Sequence, residues 1–351
     1  MILVASIPVE SSRRVRTGVT MGRDETVVVG IPTYNNEDSI GETLEMVLDQ
    51  IRPPDRVVVC DKSSDDTRAV VREYQENDAG VSIEIIDQEG DGVADAYNEI
   101  LFHVTGEYDL LVTLQTNLVV DDDWIAGHLE AHRDHPDIDI VTGDWKGNDP
   151  ADREVTPDER PYWVGRNFSV EPGVLEAIDG WDTNFLRGED WDMRIRVAST
   201  GARTYARTAI GYEWQTEDPY ITLSKAKRRP TSLTFLSKYG PWYLRFHPSH
   251  VISDALSVGA VGSGLLALAS LPLLPPLSLL FAVLFLLCTV AFYAGQLLLR
   301  GAPDERPLVG PLRKQLLTGV SVLYAARRLS KGDPDWNMAG FDPESVPNYG
   351  F

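Results

Sequence analysis

The sequence predicts an α/β protein, a doubly wound sheet followed by a C-terminal two-helix transmembrane hairpin. Between residues 26 and 145, apolar runs of five to eight residues alternate with amphipathic segments, which is typical of parallel strands that helices cover on both faces. Further along, residues 255–271 and 277–299 form two uncharged apolar runs. Each is close to the roughly 20 residues that a membrane-spanning helix needs.

The α/β part begins at Thr26. Strands are predicted at TVVVGIPTY, DRVVVCD, VSIEIID, YDLLVTLQ and DIDIVTGDW, with an edge strand at RTYARTAIGYEW. Helices are predicted at SIGETLEMVLDQI, TRAVVREYQEN, GVADAYNEILFHV, EPGVLEAIDGWD and EDWDMRIRVASTGA. Ligands of such sheets bind beyond the carboxyl ends of the strands, so the polar residues that follow each strand form the candidate site.

The predicted organisation has five parts. They are an N-terminal tail (1–25), the α/β domain (26–222), a basic juxtamembrane segment (223–250), the transmembrane hairpin (251–300), and an amphipathic helix with an irregular tail (301–351).

Basic residues flank both outer ends of the hairpin, and its proline-containing turn has none. The positive-inside rule therefore places the α/β domain and both ends of the hairpin in the cytoplasm, with the hairpin integral to the cell membrane. The alternative is a buried hairpin of a soluble domain. The segment 310–329 is expected either to lie on the membrane surface, with its arginines near lipid head groups, or to pack as a short helix.

Acidic residues dominate the front of the chain. The first 222 residues carry 46 acidic and 19 basic side chains, whereas the remainder carries 7 and 13. Only 7 of the 32 basic residues are lysine, and 32 of the 53 acidic residues are aspartate. Such a surface suits a cytosol of very high salt, where ions screen the repulsion, and predicts a halophile's protein rather than an ordinary acidic one. With no basic stripe, the chain is not expected to bind nucleic acid.

Polar clusters follow the predicted strands in a fixed order. PTYNNE follows the first strand, CDKSSDDT follows the second, EGDGVADAYN precedes the third helix, and QTN follows the fourth strand. VGRNFSV and RGEDWDMRIR come later. One such cluster would be a weak signal, whereas the ordered set is specific.

Residues 26 to about 215 resemble a family 2 glycosyltransferase of the GT-A fold, and this resemblance covers more than half of the chain. The residues that carry it are Pro32, Thr33, Tyr34, Asn35, Glu37, Asp61, Ser63, Asp65, Thr67, Gly92, Ala96, Asn98, Asn167, Gly188, Glu189 and Asp190. With the apolar hairpin and the acidic composition, the nearest group is the haloarchaeal, Agl-type glycosyltransferases that build N-glycans on dolichol phosphate. The resemblance implies an inverting enzyme with a nucleotide-sugar donor, a polyprenyl-linked acceptor and contact with membrane lipid.

The resemblance assigns nucleotide binding to Pro32, Tyr34, Glu37 and Asp61. Carboxylates suit this work because they accept hydrogen bonds from ribose hydroxyls and from base N–H groups. The alternative for Asp61, as for Asp65, is turn and helix-cap chemistry.

Asp190, beside Glu189, aligns with the catalytic base of the family. A sugar hydroxyl that attacks an anomeric carbon must lose its proton in the transition state, whereas a phosphate acceptor is already anionic. The motif therefore favours transfer to a lipid-linked sugar over synthesis of a polyprenyl-phosphate monosaccharide. The alternative is a plain acidic helix N-terminus. The candidate acceptor contacts are Asn167, Arg166 and Trp191.

The sequence departs from the family at the metal-binding Asp-x-Asp, where Gln115 and Asn117 stand. Divalent cations such as Mg²⁺ and Mn²⁺ bind carboxylates best, so two alternatives stay open. If a cation binds, Glu213, roughly where relatives carry a metal-binding His, supplies the missing charge. If none binds, arginines must neutralise the departing diphosphate. The nearest are Arg166, Arg187 and Arg194. A catalytically silent, nucleotide- or glycan-binding relative is the remaining hypothesis.

Two smaller expectations concern a cysteine and four histidines. Cys60 stands where the family has the first Asp of a pair, which is tolerable if its side chain points into the core. The histidines have no acidic partner at metal-ligand spacing and are expected on the surface. They are His103, His128, His132 and His135.

Overall fold

The computed structural model describes residues 25–76, 80–145, 153–155, 167–185, 188–214, 231–272, 274–300, 309–332 and 334–345. The strands are β1 (Val27–Thr33), β2 (Arg56–Asp61), β3 (Ser82–Asp87), β4 (Leu110–Leu114), β5 (Leu118–Val120), β6 (Ile140–Trp145), β7 (Arg153–Val155), β8 (Asn167–Val170) and β9 (Thr204–Trp214). The helices are α1 (Ile40–Leu48), α2 (Thr67–Glu76), α3 (Val93–Val104), α4 (Trp124–Asp134), α5 (Glu189–Ser199), α6 (Ser232–Tyr239), α7 (Pro241–Phe246), α8 (Pro248–Ser270), α9 (Pro275–Arg300) and α10 (Val309–Leu329).

These strands form one sheet in the order β3-β2-β1-β4-β8-β6-β9-β5, with β7 paired to β9. The front half is parallel, since β1 pairs with β2 and β4, and β2 pairs with β3. Beyond β4 the sheet is mixed. β8 runs antiparallel to β4 and β6, while β9 runs parallel to β6 and antiparallel to β5. The predicted α/β fold with a C-terminal apolar hairpin is confirmed, with a mixed rather than wholly parallel sheet.

Helices cover both faces of the sheet, which explains why its central strands are apolar throughout. All seven residues of β1 are buried. On one face, Leu44 of α1, Val71 of α2 and Trp124 of α4 belong to the same core cluster. On the other face, Tyr97 of α3 and Met193 of α5 belong to a second cluster. α5, which carries the motif GED, therefore packs on the same side of the sheet as α3.

Two predicted elements were wrong. The segment 171–182 forms a 3₁₀ turn at Glu176–Ile178 instead of a helix, because Asp179 and Gly180 adopt positive φ angles of 53° and 63° that end a helical run. β9 is not an edge strand, since β6 lies on one side of it and β5 and β7 pair with it on the other.

α8 and α9 form the predicted hairpin. Small residues allow their close approach, because a Cβ on Gly259 would lie 3.2 Å from Sγ of Cys288 and one on Gly264 would lie 3.3 Å from the ring of Phe285. Small residues at helix contacts are typical of membrane proteins. By length and composition both helices are able to cross a membrane, and only 17% and 11% of their most apolar stretches are buried in the protein.

The single charge of α8, Asp254, caps the neighbouring helix α6. Its Oδ2 accepts hydrogen bonds from the backbone N–H and from the hydroxyl of Ser232, each at 2.8 Å. Ser232 is the first residue of α6, so its N–H has no partner within that helix. A negative charge at a helix N-terminus is also favourable. Asp254, the acidic residue in an otherwise uncharged helix, thus stabilises the start of α6.

α10 packs against the hairpin through small and polar residues. Nε2 of Gln315 donates to the carbonyl of Cys288 at 3.3 Å. A Cβ on Gly319 would lie 2.6 Å from Cγ2 of Val261 and 2.8 Å from the carbonyl oxygen of Ser257. The opposite face of α10 leaves Leu316, Leu323 and Tyr324 exposed. α10 is therefore a packing helix on its inner side, with an apolar outer side.

The C-terminal segment 334–345 has no regular structure, and it docks on the α/β domain. The ring of Trp336 lies 5.4 Å from that of Phe185, and the ring of Phe341 lies 4.6 Å from that of Tyr239. Residues from the front, the middle and the end of the chain thus share one aromatic cluster.

We predict that Gly319→Ala destabilises the protein, because the new methyl group has no room against the backbone of α8. Overpacking of this kind costs about 1–3 kcal/mol. The measurement is thermal unfolding of the purified protein in detergent and high KCl. Gly262→Ala is the matched control, since a Cβ there meets nothing within 4 Å. Equal melting temperatures of the two variants would contradict this packing of α10.

Candidate functional site

The carboxyl ends of β1 and β2 meet at a buried carboxylate, Asp61. Their register pairs it with Thr33, whose hydroxyl donates to Oδ1 of Asp61 at 2.7 Å, and the hydroxyl of Ser63 donates to the same oxygen at 2.6 Å. Oδ2 lies 3.6 Å from Nε of Arg68. Because Asp61 is only 3% exposed, these contacts fix its carboxylate at the floor of the site.

Asp65 and Glu37 both serve the N-terminus of α2. Oδ1 of Asp65 accepts from the N–H and the hydroxyl of Thr67, at 3.1 and 2.6 Å, which is helix-cap chemistry. Oε2 of Glu37 accepts from the N–H of Asp66 at 2.9 Å, and the N–H of Glu37 donates to Asp65 at 3.3 Å. The carboxylate of Glu37 therefore joins the loop after β1 to the loop after β2.

In the motif PTYNNE, which follows β1, some residues are buried and others are exposed. Pro32 is buried within β1, whereas Tyr34 just beyond it is 65% exposed. Asn35 adopts a positive φ of 53°, and its Oδ1 accepts from the N–H of Ser64 at 2.9 Å. Tyr34 thus projects from a turn that the second loop holds in place.

Cys60 points into the core, which is the condition under which this departure from the family pattern is tolerable. It is fully buried, and burial raises the pKa of its thiol to about 12. A thiol of this kind is inert at neutral pH.

The triplet Gln115-Thr116-Asn117, which follows β4, contacts helix α3. Nε2 of Gln115 donates to the hydroxyl of Tyr97 in α3 at 3.2 Å. The ring of Tyr97 stacks on that of Trp181, with centroids 4.9 Å apart. Asn98 holds Trp181 from below, donating to its carbonyl at 2.8 Å and accepting from its N–H at 2.7 Å. Contacts therefore run from the strand-end triplet to the segment that precedes α5.

The donors for a metal at the triplet are amides. Gln115 and Asn117 are both half-buried, and Glu213 stands on β9 opposite Val119 of β5, while its side chain lies outside the described residues. No group of three His, Cys, Asp or Glu side chains suited to a metal occurs among the residues that the structure describes. Two uncharged carboxamides match Mg²⁺ or Mn²⁺ poorly.

The motif GED forms the start of α5. Gly188, at a φ of 79°, precedes the helix, and Asp190 lies in its first turn, where Oδ1 accepts from the N–H of Trp191 at 3.0 Å. Glu189 and Asp190 are half-buried. A carboxylate in the first turn of a helix lies in the favourable field of the backbone N–H groups.

Trp191 is 40% exposed and lies next to residues of α6 and α8. Its ring centroid lies 5.4 Å from that of His250, in the first turn of α8, and 6.5 Å from that of Phe235 in α6. The guanidinium carbon of Arg194 lies 5.7 Å from the ring. Of the other proposed arginines, Arg166 and Arg187 lie outside the described residues.

A buried ionic cluster, which no sequence motif indicated, lies beneath α5. Nζ of Lys238 lies 2.6 Å from Oδ2 of Asp182 and 2.5 Å from Oδ1 of Asp192, and Nε of Arg196 lies 2.8 Å from Oδ2 of Asp192. The hydroxyl of Tyr239 donates to Oδ1 of Asp192 at 2.6 Å.

Burial shifts the pKa values of Lys238 and Tyr239 in opposite directions. It lowers the pKa of Lys238, against the opposing effect of Asp192 and Asp182, and raises the pKa of Tyr239 well above its usual value. The available signal in the sequence was the second aspartate of GEDWD, together with a lysine in a lysine-poor chain.

The structure corrects the expectations for Asn167 and two histidines. Asn167 is fully buried. Its Oδ1 accepts from Nε1 of Trp124 at 2.7 Å and lies 3.1 Å from Nε2 of His128, and its Nδ2 donates to the carbonyl of Ile210 at 3.0 Å. Asn167 is thus a core residue and does not line an acceptor surface.

His128 and His132 are also buried, at 0% and 1% exposure, not on the surface. Oγ of Ser169 lies 2.9 Å from Nδ1 of His128 and 2.9 Å from Nε2 of His132. The periodicity of α4 places both histidines on its inner face, and polar groups on β8 receive them.

The α/β domain is similar to known proteins. Residues 28–188 match the family model described as Glycosyl transferase family 2. The Bacillus subtilis protein TuaG, whose name assigns it to teichuronic acid biosynthesis as a glycosyltransferase, is 33% identical over 105 residues, which is 30% of this chain and 39% of TuaG. A poly-beta-1,6-N-acetyl-D-glucosamine synthase of Staphylococcus aureus is 26% identical over 148 residues, or 40% of this chain and 35% of the synthase. The chain thus spans less than two-fifths of either relative.

Solved structures share the fold at low sequence identity. The mannosyltransferase PcManGT of Pyrobaculum calidifontis, in complex with GDP-Man and Mn²⁺, superposes with a TM-score of 0.55 at 20% identity, over 88% of each chain. Residues 1–349 of TarS of S. aureus, in complex with UDP, give a TM-score of 0.50 at 16% identity, over 90% of this chain and 99% of TarS 1–349. These likenesses establish the fold.

We predict that Asn167→Ala lowers stability without weakening the binding of a nucleotide. The change leaves the buried N–H of Trp124 and the carbonyl of Ile210 without partners, and each unsatisfied group costs about 1–3 kcal/mol. Thermal unfolding and titration with UDP measure the two effects. A variant that melts like the parent but has a raised KM for acceptor would restore Asn167 to an acceptor surface.

Proposed function

Residues 28–188 form a glycosyltransferase family 2 domain of the GT-A fold, and we propose that the chain is an inverting enzyme acting at a membrane. It moves a sugar from a nucleotide-sugar donor to a glycan carried on a polyprenyl phosphate. The acceptor faces the cytoplasmic side, where the hairpin of α8 and α9 anchors the enzyme.

One observation carries this proposal, the contact between Trp191 and His250. Trp191 follows the proposed base Asp190 directly, and its ring lies 5.4 Å from that of His250. His250 stands in the first turn of α8, the first of the two long apolar helices. The start of the catalytic helix and the start of the hairpin are therefore neighbours, so an acceptor on a lipid carrier reaches Asp190 without leaving the membrane surface.

The reaction uses the carboxylate of Asp190 as a general base. The acceptor hydroxyl gives its proton to this carboxylate while its oxygen attacks the anomeric carbon from the side opposite the nucleotide. The bond from that carbon to the diphosphate oxygen breaks, the nucleoside diphosphate leaves, and the configuration is inverted. A phosphate acceptor would need no base, so Asp190 favours a sugar hydroxyl over bare polyprenyl phosphate.

The strand-end residues hold the donor. Asp61, fixed by Thr33 and Ser63, offers an acceptor for ribose or base donors, although part of its capacity serves the protein. Tyr34 projects an exposed ring suited to stacking on a nucleobase. The relative TarS was solved with UDP and PcManGT with GDP-Man, so both nucleotides belong in a donor panel.

Composition and anchor together suggest the biological setting. The aspartate-rich, lysine-poor chain suits a halophile's cytosol, and a dolichol-linked glycan built for protein N-glycosylation is the acceptor that we propose. A catalytically silent, nucleotide-binding protein is the second candidate, because amides replace carboxylates at Gln115 and Asn117.

We predict that Asp190→Asn reduces transfer on the order of 100-fold or more, since loss of a general base typically removes 10²–10⁴ of the rate. The assay supplies UDP- and GDP-sugars, extracted dolichol-linked glycans and high KCl, and separates the lipid products. Binding of UDP should be unchanged in the variant. Nucleotide binding by the parent, with no turnover of any donor, would favour the silent candidate.

We predict that transfer by the parent continues in EDTA, because the triplet supplies no carboxylate for a cation. The double variant Gln115→Asp/Asn117→Asp should become dependent on Mn²⁺, since it restores two charged ligands. Rates with EDTA, and with EDTA followed by excess Mn²⁺, measure both. Gln115→Ala/Asn117→Ala is the control, which adds no charge. A parent that stops in EDTA and recovers with Mn²⁺ would refute this.

A further inference from the structure

Four buried charges lie together under the first turns of α5. They are Asp182, Asp192, Arg196 and Lys238, exposed by 1%, 0%, 0% and 7% respectively. Two are negative and two are positive, so the loss of any single one leaves the cluster with an unbalanced charge. Arg196 is further committed to the backbone, donating to the carbonyls of Ile178 at 2.5 Å and Gly180 at 2.8 Å.

Of the four members, Lys238 lies farthest beyond the family domain in the sequence. It stands in α6, well beyond the 28–188 segment that matches the family model. Asp182 and Asp192 belong to the front of the chain, and Lys238 bridges them at 2.6 and 2.5 Å. The membrane-proximal part of the chain thus supplies the charge that these two aspartates require.

The cluster fixes the rotation of α5 about its axis. Asp192 lies two residues after Asp190, so their side chains leave the helix about 200° apart. With Asp192 held inward by Lys238, Arg196 and Tyr239, Asp190 must point away from the core, and it is half-exposed. A rotation or frayed first turn would displace the proposed base by several ångströms.

The C-terminal segment 334–345 also contacts this cluster. The N–H of Asn337 donates to Oδ2 of Asp182 at 3.1 Å, and Nζ of Lys238 lies 5.8 Å from the ring of Trp336 and 5.3 Å from that of Phe185. These rings exclude water from the ion pairs, which strengthens the electrostatic attraction between them.

We propose that Lys238 is a positioning residue for the transfer reaction, holding the first turn of α5 so that Asp190 meets the acceptor hydroxyl. The proposal rests on the proposed function of Asp190. It makes the front of the chain dependent on its rear, because α6 reaches the cluster only after the chain has passed beyond the family domain.

The test compares full-length Lys238→Met with the parent. We expect kcat to fall on the order of 100-fold, the effect of misplacing a catalytic group by about 1 Å, while the Kd for UDP and the KM for donor stay within about twofold of the parent's. We also expect the backbone amides of 189–192 to exchange hydrogen faster. Lys331→Met, at an exposed lysine, is the matched control and should change none of these values.

A second variant separates positioning from simple charge balance. Lys238→Met/Asp192→Asn removes one charge of each sign, so the cluster is again neutral and thermal stability should recover, even if Lys238→Met alone fails to fold. We expect kcat to stay low in this double variant. Recovery of kcat together with stability, or a folded Lys238→Met with the parent's kcat, would overturn the proposal.

Hydrogen exchange keeps the outcome independent of the acceptor. If the parent transfers no sugar to any lipid, the proposed function fails, yet faster exchange at the start of α5 in the double variant still supports the role of Lys238. Unchanged exchange there would count against that role whatever the activity.

Discussion

The structure depends on two buried carboxylates, Asp182 and Asp192, each of which forms an ion pair with a positively charged side chain. A charge in a protein interior is strongly destabilising unless it is paired, and removing one partner of a buried ion pair typically costs about 3–5 kcal/mol. Arg196 offers one positive charge from the same helix as Asp192, and Lys238 offers the second from α6. The front and the rear of the chain are therefore joined by buried ion pairs. The predicted end of the α/β domain, at residue 222, lies between them in the sequence. The C-terminal segment also contacts the cluster, because the N–H of Asn337 donates to Asp182.

The loops that follow β1 and β2 are held mainly by hydrogen bonds. Asp61 and Asp65 each accept several short hydrogen bonds from neighbouring hydroxyl and amide groups, so the two loops are set before any ligand arrives. Preorganised groups of this kind avoid the ordering cost of binding. At the triplet, Gln115 is anchored by the ring system of Tyr97 and Trp181. In the proposed diphosphate site, amides at these positions would repel the diphosphate less than the two carboxylates of the family motif.

Much of this arrangement could be predicted from local sequence. Apolar runs between polar clusters predicted β1, β2 and β4. The errors came where long-range contacts decide. Left-handed turns at Asp179 and Gly180 ended a segment with helical composition. The burial of Asn167 and His128 depends on β8 lying between β4 and β6, which no local pattern encodes. Lys238 lies 46 and 56 positions beyond Asp192 and Asp182, so spacing within a motif could not reveal its ion pairs.

The capping contact of Asp254 also limits how deep the hairpin can lie in the proposed membrane setting. Its carboxylate holds the start of α6, and a carboxylate side chain belongs at the level of the lipid head groups. From there to Ser270, α8 advances about 24 Å, whereas a typical hydrocarbon layer is about 30 Å thick. The turn between the helices would therefore end short of the far head groups unless the bilayer thins locally. One carboxylate thus sets the hydrophobic mismatch of the whole anchor.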